Sequence, residues 1–405
     1  MEPVSFCVVG VGGYGRMHIR IIEALEEEGL AKLSAAVVRN PKKYSDEVSR
    51  LRRKNVRIYR SYMDMLENEA GTIEIVTLPV AIHQHKDMTI TALKAGFNVL
   101  VEKPPAVTIQ DLDAMIEAER ASSGFCAVGF QSQSKNTIKE LKRMICDGRL
   151  GEIKEVIVKG RWKRLDSYYQ RNAWAGKFMY NGKYVLDGTV SNPLSHYLFN
   201  GLYLASMEWG RAAEPLRVRA ELYRAHRIEG EDTSCLEIET EDGAKIFFYA
   251  TLCAPSNEDP IHQIIGSKAS AELIKGLDVK VEYSSGGVEV LRDDGSDDRV
   301  ELFRNAARYL RGLDEELNCT LQMTRPFVLA LNGAYESSGA IWRIPEKHLT
   351  YREEEGSVST LINNIVEIID KASKERKLYS DIGVEWAHPT EYFSLKGYRG
   401  FSMKL

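Results

Sequence analysis

Apolar residues over positions 1–130 come in short blocks, each followed by a glycine or polar turn and then an amphipathic stretch. Residues 4–9 read Val-Ser-Phe-Cys-Val-Val, the nearly continuous apolar run of a strand buried on both faces of a parallel sheet. Residues 16–27 have helical spacing, with Met17, Ile21, Ala24 and Leu25 on one side, and Gly29 marks the helix end. Residues 33–38, 73–78, 98–101 and 126–130 repeat the strand pattern, and 87–95 and 109–118 repeat the helical one. Strands alternating with helices predict right-handed crossovers and a doubly wound parallel sheet, a Rossmann domain over 1–131.

The pattern changes after a helix predicted over 134–146. Strands at 216–225, 233–241 and 245–252 are joined by tight turns, with Glu241-Asp242-Gly243 as a hairpin signal. A second hairpin is expected for 280–283 and 287–291 around Ser284-Ser285-Gly286. These features predict an α+β domain with a mostly antiparallel open sheet over 132–344. Residues 345–405 form an extension with a periodic helix at 361–372. Its end carries Trp386, His388, Tyr392, Phe393, Tyr398 and Phe401, an aromatic density that predicts packing on the domains or on a neighbouring subunit.

Composition narrows the function classes. The 405 residues carry a formal charge of −4, with 44% hydrophobic and 28% charged residues. This mildly acidic mix argues against a protein that coats nucleic acid or anionic lipid. No apolar run is long enough to span a membrane, and the N-terminus has no export signal pattern, so a cytoplasmic protein is expected. The six cysteines contain no C-x-x-C, so they read as reduced thiols without a zinc or dithiol motif. The acidic run 293–298 lacks calcium-loop spacing and reads as a solvated turn. No metal is expected.

The chemistry begins at Gly10-Val11-Gly12-Gly13-Tyr14-Gly15, a G-x-G-x-x-G between a predicted strand and a predicted helix. Gly10 permits the tight turn, Gly12 lets the backbone approach a pyrophosphate, and Gly15 lets helix pack on strand. The pyrophosphate sits at the helix N-terminus, with Gly13 and Tyr14 beside it. NAD enzymes place an acid near the end of the second strand, on the ribose 2′-hydroxyl. Here that position reads Arg39-Asn40-Pro41-Lys42-Lys43, which suits a 2′-phosphate and leans towards NADP or dual use. The alternative is that these are solvated loop charges. Lys103 follows a parallel strand at its carboxyl end, where such sheets hold ligands, and Pro104 and Pro105 force a turn there. A lysine partly desolvated in such a crevice orients a hydroxyl and shares its proton; the alternative is a surface lysine paired with Glu102.

Four stretches together resemble the Gfo/Idh/MocA oxidoreductases: Thr77-Leu78-Pro79-x-x-x-His83, Ala92-x-x-Ala95-Gly96, Val101-Glu102-Lys103-Pro104 and Gly129-Phe130-Gln131. Gly148-x-x-Gly151-Glu152-Ile153 matches that family's turn into its second domain, and Ile265-Gly266-Ser267-Lys268-Ala269-Ser270 is similar to its glycine turn. The resemblance implies NAD(P)-dependent chemistry on sugars or cyclitols and a catalytic role for Lys103. It also implies cofactor contacts at Thr77, Leu78, Pro79, His83, Glu102 and Gln131. It further implies a homodimer or homotetramer formed through one face of the second domain's sheet.

The family usually shows Asp-x-x-x-His on a helix, and here the corresponding residues are Asn192 and His196. Asn cannot act as a base. Asn192-Pro193 reads as a helix N-cap followed by proline, which puts His196 in the first helical turn, where the dipole favours the neutral imidazole that accepts a hydroxyl proton. Asp187, just upstream, orients His196 or a substrate hydroxyl if the loop folds back. The segment Arg161-Trp162-Lys163-Arg164 and Tyr168 to Lys177 mixes aromatic and basic residues. A nucleic-acid patch is one reading; a sugar pocket with Trp162, Arg164, Tyr169, Arg171, Trp174, Lys177, Asp187 and Asn192 is favoured. Hydride transfer from a sugar carbinol is the expected reaction. Redox-assisted glycoside hydrolysis and a non-catalytic nucleotide-binding regulator are the alternatives.

Overall fold

The computed structural model describes residues 2–274 and 278–404. They divide into two compact units: 1–106 with 111–135 and 295–323, and 107–110 with 136–294 and 324–405.

In the first unit β1 (Val4–Val9), α1 (Gly15–Glu27), β2 (Ala31–Val37), α2 (Ser45–Arg53), β3 (Arg57–Tyr59), α3 (Tyr62–Asn68), β4 (Ile75–Leu78), α4 (His85–Lys94), β5 (Asn98–Val101), α5 (Ile109–Arg120) and β6 (Cys126–Val128) follow in order. The six strands are all parallel, in the order β3-β2-β1-β4-β5-β6. The chain reverses direction of winding between β1 and β4, and ligands of doubly wound sheets bind at that switch, beyond the strands' carboxyl ends. Residues 295–323 join this unit, although the sequence placed them in the second domain. Their helix, Asp298–Leu310, puts Phe303 against Phe6 and His18, and Arg311 pairs with Glu74 through both guanidinium nitrogens at 2.6 and 2.9 Å. Asp297, expected in a solvated turn, caps that helix by accepting the Arg299 amide.

In the second unit α6 (Asn136–Cys146) leads into β7 (Ile153–Arg161), a short α7 (Asp166–Tyr169), a hairpin of β8 (Met179–Tyr180) and β9 (Lys183–Tyr184), and α8 (Ser195–Ala205). The strands β10 (Pro215–Arg224), β11 (Thr233–Thr240), β12 (Lys245–Thr251), β13 (Ile261–Gly266), β14 (Ala269–Ile274), β15 (Val279–Tyr283) and β16 (Val288–Leu291) follow. They form a mostly antiparallel sheet in the order β16-β15-β14-β13-β7-β12-β11-β10, with β7–β12 parallel. Strand alternation sorts side chains to two faces. Val156, Val158 and Ile246 meet α8, where Gly201 allows close approach: an added Cβ would lie 3.0 Å from Val158.

Ile157, Phe247 and Tyr249 point to the opposite face, and the C-terminal extension fills it. After β17 (Trp342–Arg343), which lies parallel beside β10, β18 (Leu349–Glu354) pairs with β19 (Ser357–Ile362), and the helix Ile365–Glu375 follows. Ile365, Ile369, Tyr379 and Trp386 are buried against that face, and Tyr249 donates to the Ala372 and Lys377 carbonyls. The resemblance put a second subunit on this face; over β7 and β10–β12 the chain covers it with its own tail. The helix expected over 361–372 starts later, because Leu361 and Ile362 belong to β19. The long helix Leu321–Ser338 carries Pro326 within its first turns, and sequence periodicity had not marked it. No helix among the described residues is long and apolar enough to cross a membrane. All six cysteines are free thiols, five of them buried.

Candidate functional site

The cofactor candidates begin where β1 meets α1. Gly10 and Gly13 have φ of 96° and 54°, and at both the space a side chain would take is open. A Cβ on Gly15 would lie 1.9 Å from the Gly10 carbonyl oxygen, so only glycine lets the helix start this close to the turn. A Cβ on Gly12 would meet the Tyr44 hydroxyl at 2.4 Å. This side-chain-free cradle at a helix N-terminus fits a dinucleotide pyrophosphate. Tyr14 is exposed at its rim. Arg39 and Asn40 are exposed just past β2, and Asn40 accepts the Lys43 amide.

The remaining cofactor candidates lie on the same sheet. Thr77 and Leu78 are fully buried at the end of β4, so Leu78 offers a ligand only its backbone, whereas the buried Thr77 hydroxyl lacks a hydrogen-bond partner among the described residues. Pro79 closes the turn against the glycine cradle. His83 lies in a 3-10 turn at Ile82–Gln84, and Gln131 opens another at Gln131–Ser134. Glu102 follows β5 and is tied to two neighbours. Its carboxylate lies 2.9 Å from buried His18 of α1 and accepts the Lys103 amide at 3.2 Å. Lys103 is thereby anchored through its own backbone. His85 adds a second anchor: its ring nitrogens lie 2.8 Å from the Pro104 carbonyl and 3.1 Å from the Val80 carbonyl, and burial holds its pKa below the usual histidine value. Neither His18 nor His85 was marked by the sequence, since nothing in local spacing reveals a partner 84 or 19 residues away.

The substrate candidates lie in the second unit and form one connected wall. The Arg171 guanidinium packs 3.8 Å over the Tyr168 ring and 5.4 Å over Trp174, and donates to Asp187 Oδ2 at 3.2 Å. Asp187 is nearly fully buried; it also accepts the Gly176 amide at 2.7 Å and the Asn192 side-chain amide at 2.7 Å. Asn192 is therefore no helix cap. The helix begins at Ser195, with Leu194 at the cap position, and Asn192 sits in the preceding turn. Asn192 and His196 do not share a helical face, but His196 does fall in the first turn. Arg164 lies 4.7 Å over the Trp162 ring and 5.3 Å over Tyr168, and Trp162 meets Tyr197 edge-on.

Two candidates part from this wall. Tyr169 turns its ring onto His226 at 4.8 Å, and its buried hydroxyl has no hydrogen-bond partner among the described residues. Lys177 pairs with Glu229 at 2.7 Å. Both line an open cavity of about 540 Å³ with Asp166, His226 and Ile228.

Beneath the Asp187–Asn192 loop lies a residue the sequence did not mark. Glu231 is fully buried; its carboxylate accepts the Val190 amide at 3.0 Å and the Tyr335 hydroxyl. It presses on Gly188, where a Cβ would collide with it. Burial, with Asp187 adding repulsion, pushes its pKa up to about 7. His226, Asp232 and Cys253 bring three potential ligand atoms within 4.8 Å of one another. Asp232, however, already accepts the Ala225 and His226 amides, the His226 ring and the Thr233 hydroxyl. The chemistry of this group is that of a hydrogen-bonded knot. Burial works against charge on His226, yet Asp232 raises its pKa above the usual value.

Comparison with known proteins now decides the family. A model described as "Oxidoreductase family, NAD-binding Rossmann fold" matches residues 4–130, and the GFO/IDH/MocA C-terminal domain matches residues 138–272. The chain belongs to the Gfo/Idh/MocA family. It is similar to an inositol 2-dehydrogenase of Salmonella typhimurium, 27% identical over 160 residues, covering 38% of this chain and 44% of that one. It is also similar to a 2,7-anhydro-N-acetylneuraminate hydratase of Mediterraneibacter gnavus, 25% identical over 153 residues and 38% of each chain. The matched stretches thus span less than half the length of these relatives. Among solved structures, the WlbA dehydrogenase of Bordetella pertussis, in complex with NADH and UDP-GlcNAcA, shares the fold with a TM-score of 0.68 at 24% identity. That match covers 83% of this chain and 97% of WlbA. Gfo/Idh/MocA membership accounts for the Rossmann unit and the open sheet after it.

Proposed function

We propose that this protein is an NAD(P)-dependent oxidoreductase that moves a hydride between a carbinol carbon of a sugar, sugar derivative or cyclitol and a nicotinamide. The observation that carries this reading is the place of Lys103: it follows β5 at the carboxyl end of the sheet whose β1 opens into the glycine cradle. When bound, the dinucleotide supplies the hydride acceptor. The Lys103 ammonium donates to the substrate oxygen and orients the hydroxyl. The His196 imidazole accepts the hydroxyl proton as the C–H hydride departs, leaving a carbonyl. Arg171, Asp187 and Asn192, already linked to one another, present donors and acceptors for ring hydroxyls, and Trp162 and Trp174 offer faces for the apolar side of the ring. Arg39 and Asn40 are assigned to a 2′-phosphate, which favours NADP or dual use.

The dehydrogenase names and the NADH of the similar proteins support the reading. One relative is named a hydratase, which favours a second reading on the same residues: transient oxidation that activates a neighbouring C–H, with elimination and water addition and no net change in cofactor. A panel of sugars, glycosides and cyclitols tests both, with reduced cofactor and released or hydrated sugar followed together. Accumulating reduced cofactor supports the dehydrogenase; product without it supports the second. Neither product, with no nucleotide bound, rejects both.

A further inference from the structure

Five basic side chains, Arg161, Lys163, Arg164, Arg171 and Lys177, crowd the segment read as the substrate wall. Four are neutralised by carboxylates. Arg161 pairs with Glu258 at 2.5 Å and Asp370 at 2.9 Å, Lys163 with Glu354, Arg171 with Asp187 at 3.2 Å, and Lys177 with Glu229 at 2.7 Å. Arg164 differs. Among the described residues no carboxylate lies within ion-pair distance of it. Its Nη1 donates to the Lys163 carbonyl at 2.8 Å and to Asn257 at 3.0 Å, both neutral acceptors.

Arg164 is also held in place. Its guanidinium lies 4.7 Å over Trp162 and 5.3 Å over Tyr168, and the two Nη1 bonds fix the rotation of the plane. A long side chain so restrained has already lost the rotamer freedom that binding would otherwise cost. The rings tie it to the wall: Tyr168 carries Arg171, which reaches Asp187, itself bonded to Asn192, and Trp162 meets Tyr197, the neighbour of His196 in sequence. A half-buried, pre-oriented guanidinium without a carboxylate is built to meet an anion, because its planar fork matches the two oxygens of a carboxylate or phosphate.

We infer that Arg164 is a specificity residue that receives an anionic substituent of the substrate, so that the preferred sugars are uronates or sugar phosphates rather than neutral polyols. This rests on the proposed sugar site. The anion's charge is recognised in the same way whether it is a carboxylate or a phosphate, and the two sources differ in where they attach to the ring.

The test is equilibrium binding to the full chain saturated with NAD(P), by calorimetry and by quenching of tryptophan fluorescence, which Trp162 beneath Arg164 reports directly. The probes are D-glucose, D-glucuronate and D-glucose 6-phosphate. Glucuronate or glucose 6-phosphate is expected to bind about tenfold more tightly than glucose, and the tighter one names the source. In Arg164→Gln the anionic-to-neutral ratio is expected to fall towards one, and Arg164→Lys to recover part of it. Circular dichroism serves as the control for folding of both variants, and the partial recovery in Arg164→Lys distinguishes lost charge from lost structure. Equal affinity of the three probes for the wild type, no binding of any of them, or a ratio that survives Arg164→Gln would overturn the inference. Failure of the oxidoreductase reading is separate: it appears as absence of nucleotide binding or turnover, measured without reference to the ratio.

Discussion

Asn192 donates its side-chain amide to the Asp187 carboxylate at 2.7 Å, and so stands where the family's usual acid would put a second carboxylate against the first. The neutral amide lets Asp187 keep its bonds to Arg171 and the Gly176 amide without a second carboxylate at hydrogen-bond distance. Asn192→Asp restores the family residue and is expected to lose stability above neutral pH. Two carboxylates at this separation raise one pKa, so the loss is small in acid and grows as pH rises through the raised value. Melting temperatures of wild type and variant at pH 5 and pH 8 check this. An equal difference at both pH values would contradict it.

Gly15 is the tightest point of the cofactor cradle. Its missing Cβ would sit 1.9 Å from backbone, which cannot yield as a flexible side chain would. Gly15→Ala is expected to weaken dinucleotide binding at least a hundredfold and to destabilise the first unit by about 1–3 kcal/mol. Gly29→Ala, with open space but φ of 71°, gives the comparison: strain without loss of nucleotide affinity. Fluorescence titration with NADH and NADPH separates the two.

Glu231 makes stability pH-dependent. Its folded pKa of about 7 lies above the ordinary carboxylate value of 4.5. Between those values the folded protein holds a proton that the unfolded chain has released. The contribution is therefore complete below the lower value and is lost as pH rises through the upper one, on the order of 3 kcal/mol in all. Glu231→Gln keeps an acceptor for Val190 but cannot ionise. Denaturant midpoints from pH 4.5 to 8 are expected to fall more steeply for the wild type than for the variant; parallel curves would contradict the assignment.

The extension covers apolar sheet surface. Removal of residues 345–405 exposes Phe247, Tyr249 and Tyr223, which are now at most 2% accessible. A chain ending at 344 is expected to self-associate or precipitate where the full chain does not, as size-exclusion chromatography will show. A monodisperse, folded truncation would show that the tail is not a structural cover.

The elements that carry the cofactor cradle were readable because their signals are local. An apolar run, six residues with four glycines and a helical stripe all lie within residues 4–27. Lys103 was readable because a strand end and two prolines flank it. What sequence periodicity missed is non-local. The Asp298–Leu310 helix joins the first unit from far along the chain, Asn192 turns back to Asp187 instead of capping, and Glu231 acts from beneath a loop forty residues away. The basic segment was visible, but which of its cations was left without a carboxylate depends on Glu258, Glu354 and Asp370, distant in sequence.

The central claim is that Lys103 and His196 serve one hydride transfer. The most direct measurement is single-turnover reduction of bound NAD(P) by the best substrate of the sugar panel in wild type, Lys103→Ala and His196→Ala, with nucleotide affinity measured alongside. The account predicts rate losses of about 10²–10⁴-fold in each variant with nucleotide affinity changed by less than about threefold. Near-native rates in either variant, or a wild type that binds no dinucleotide, would contradict it.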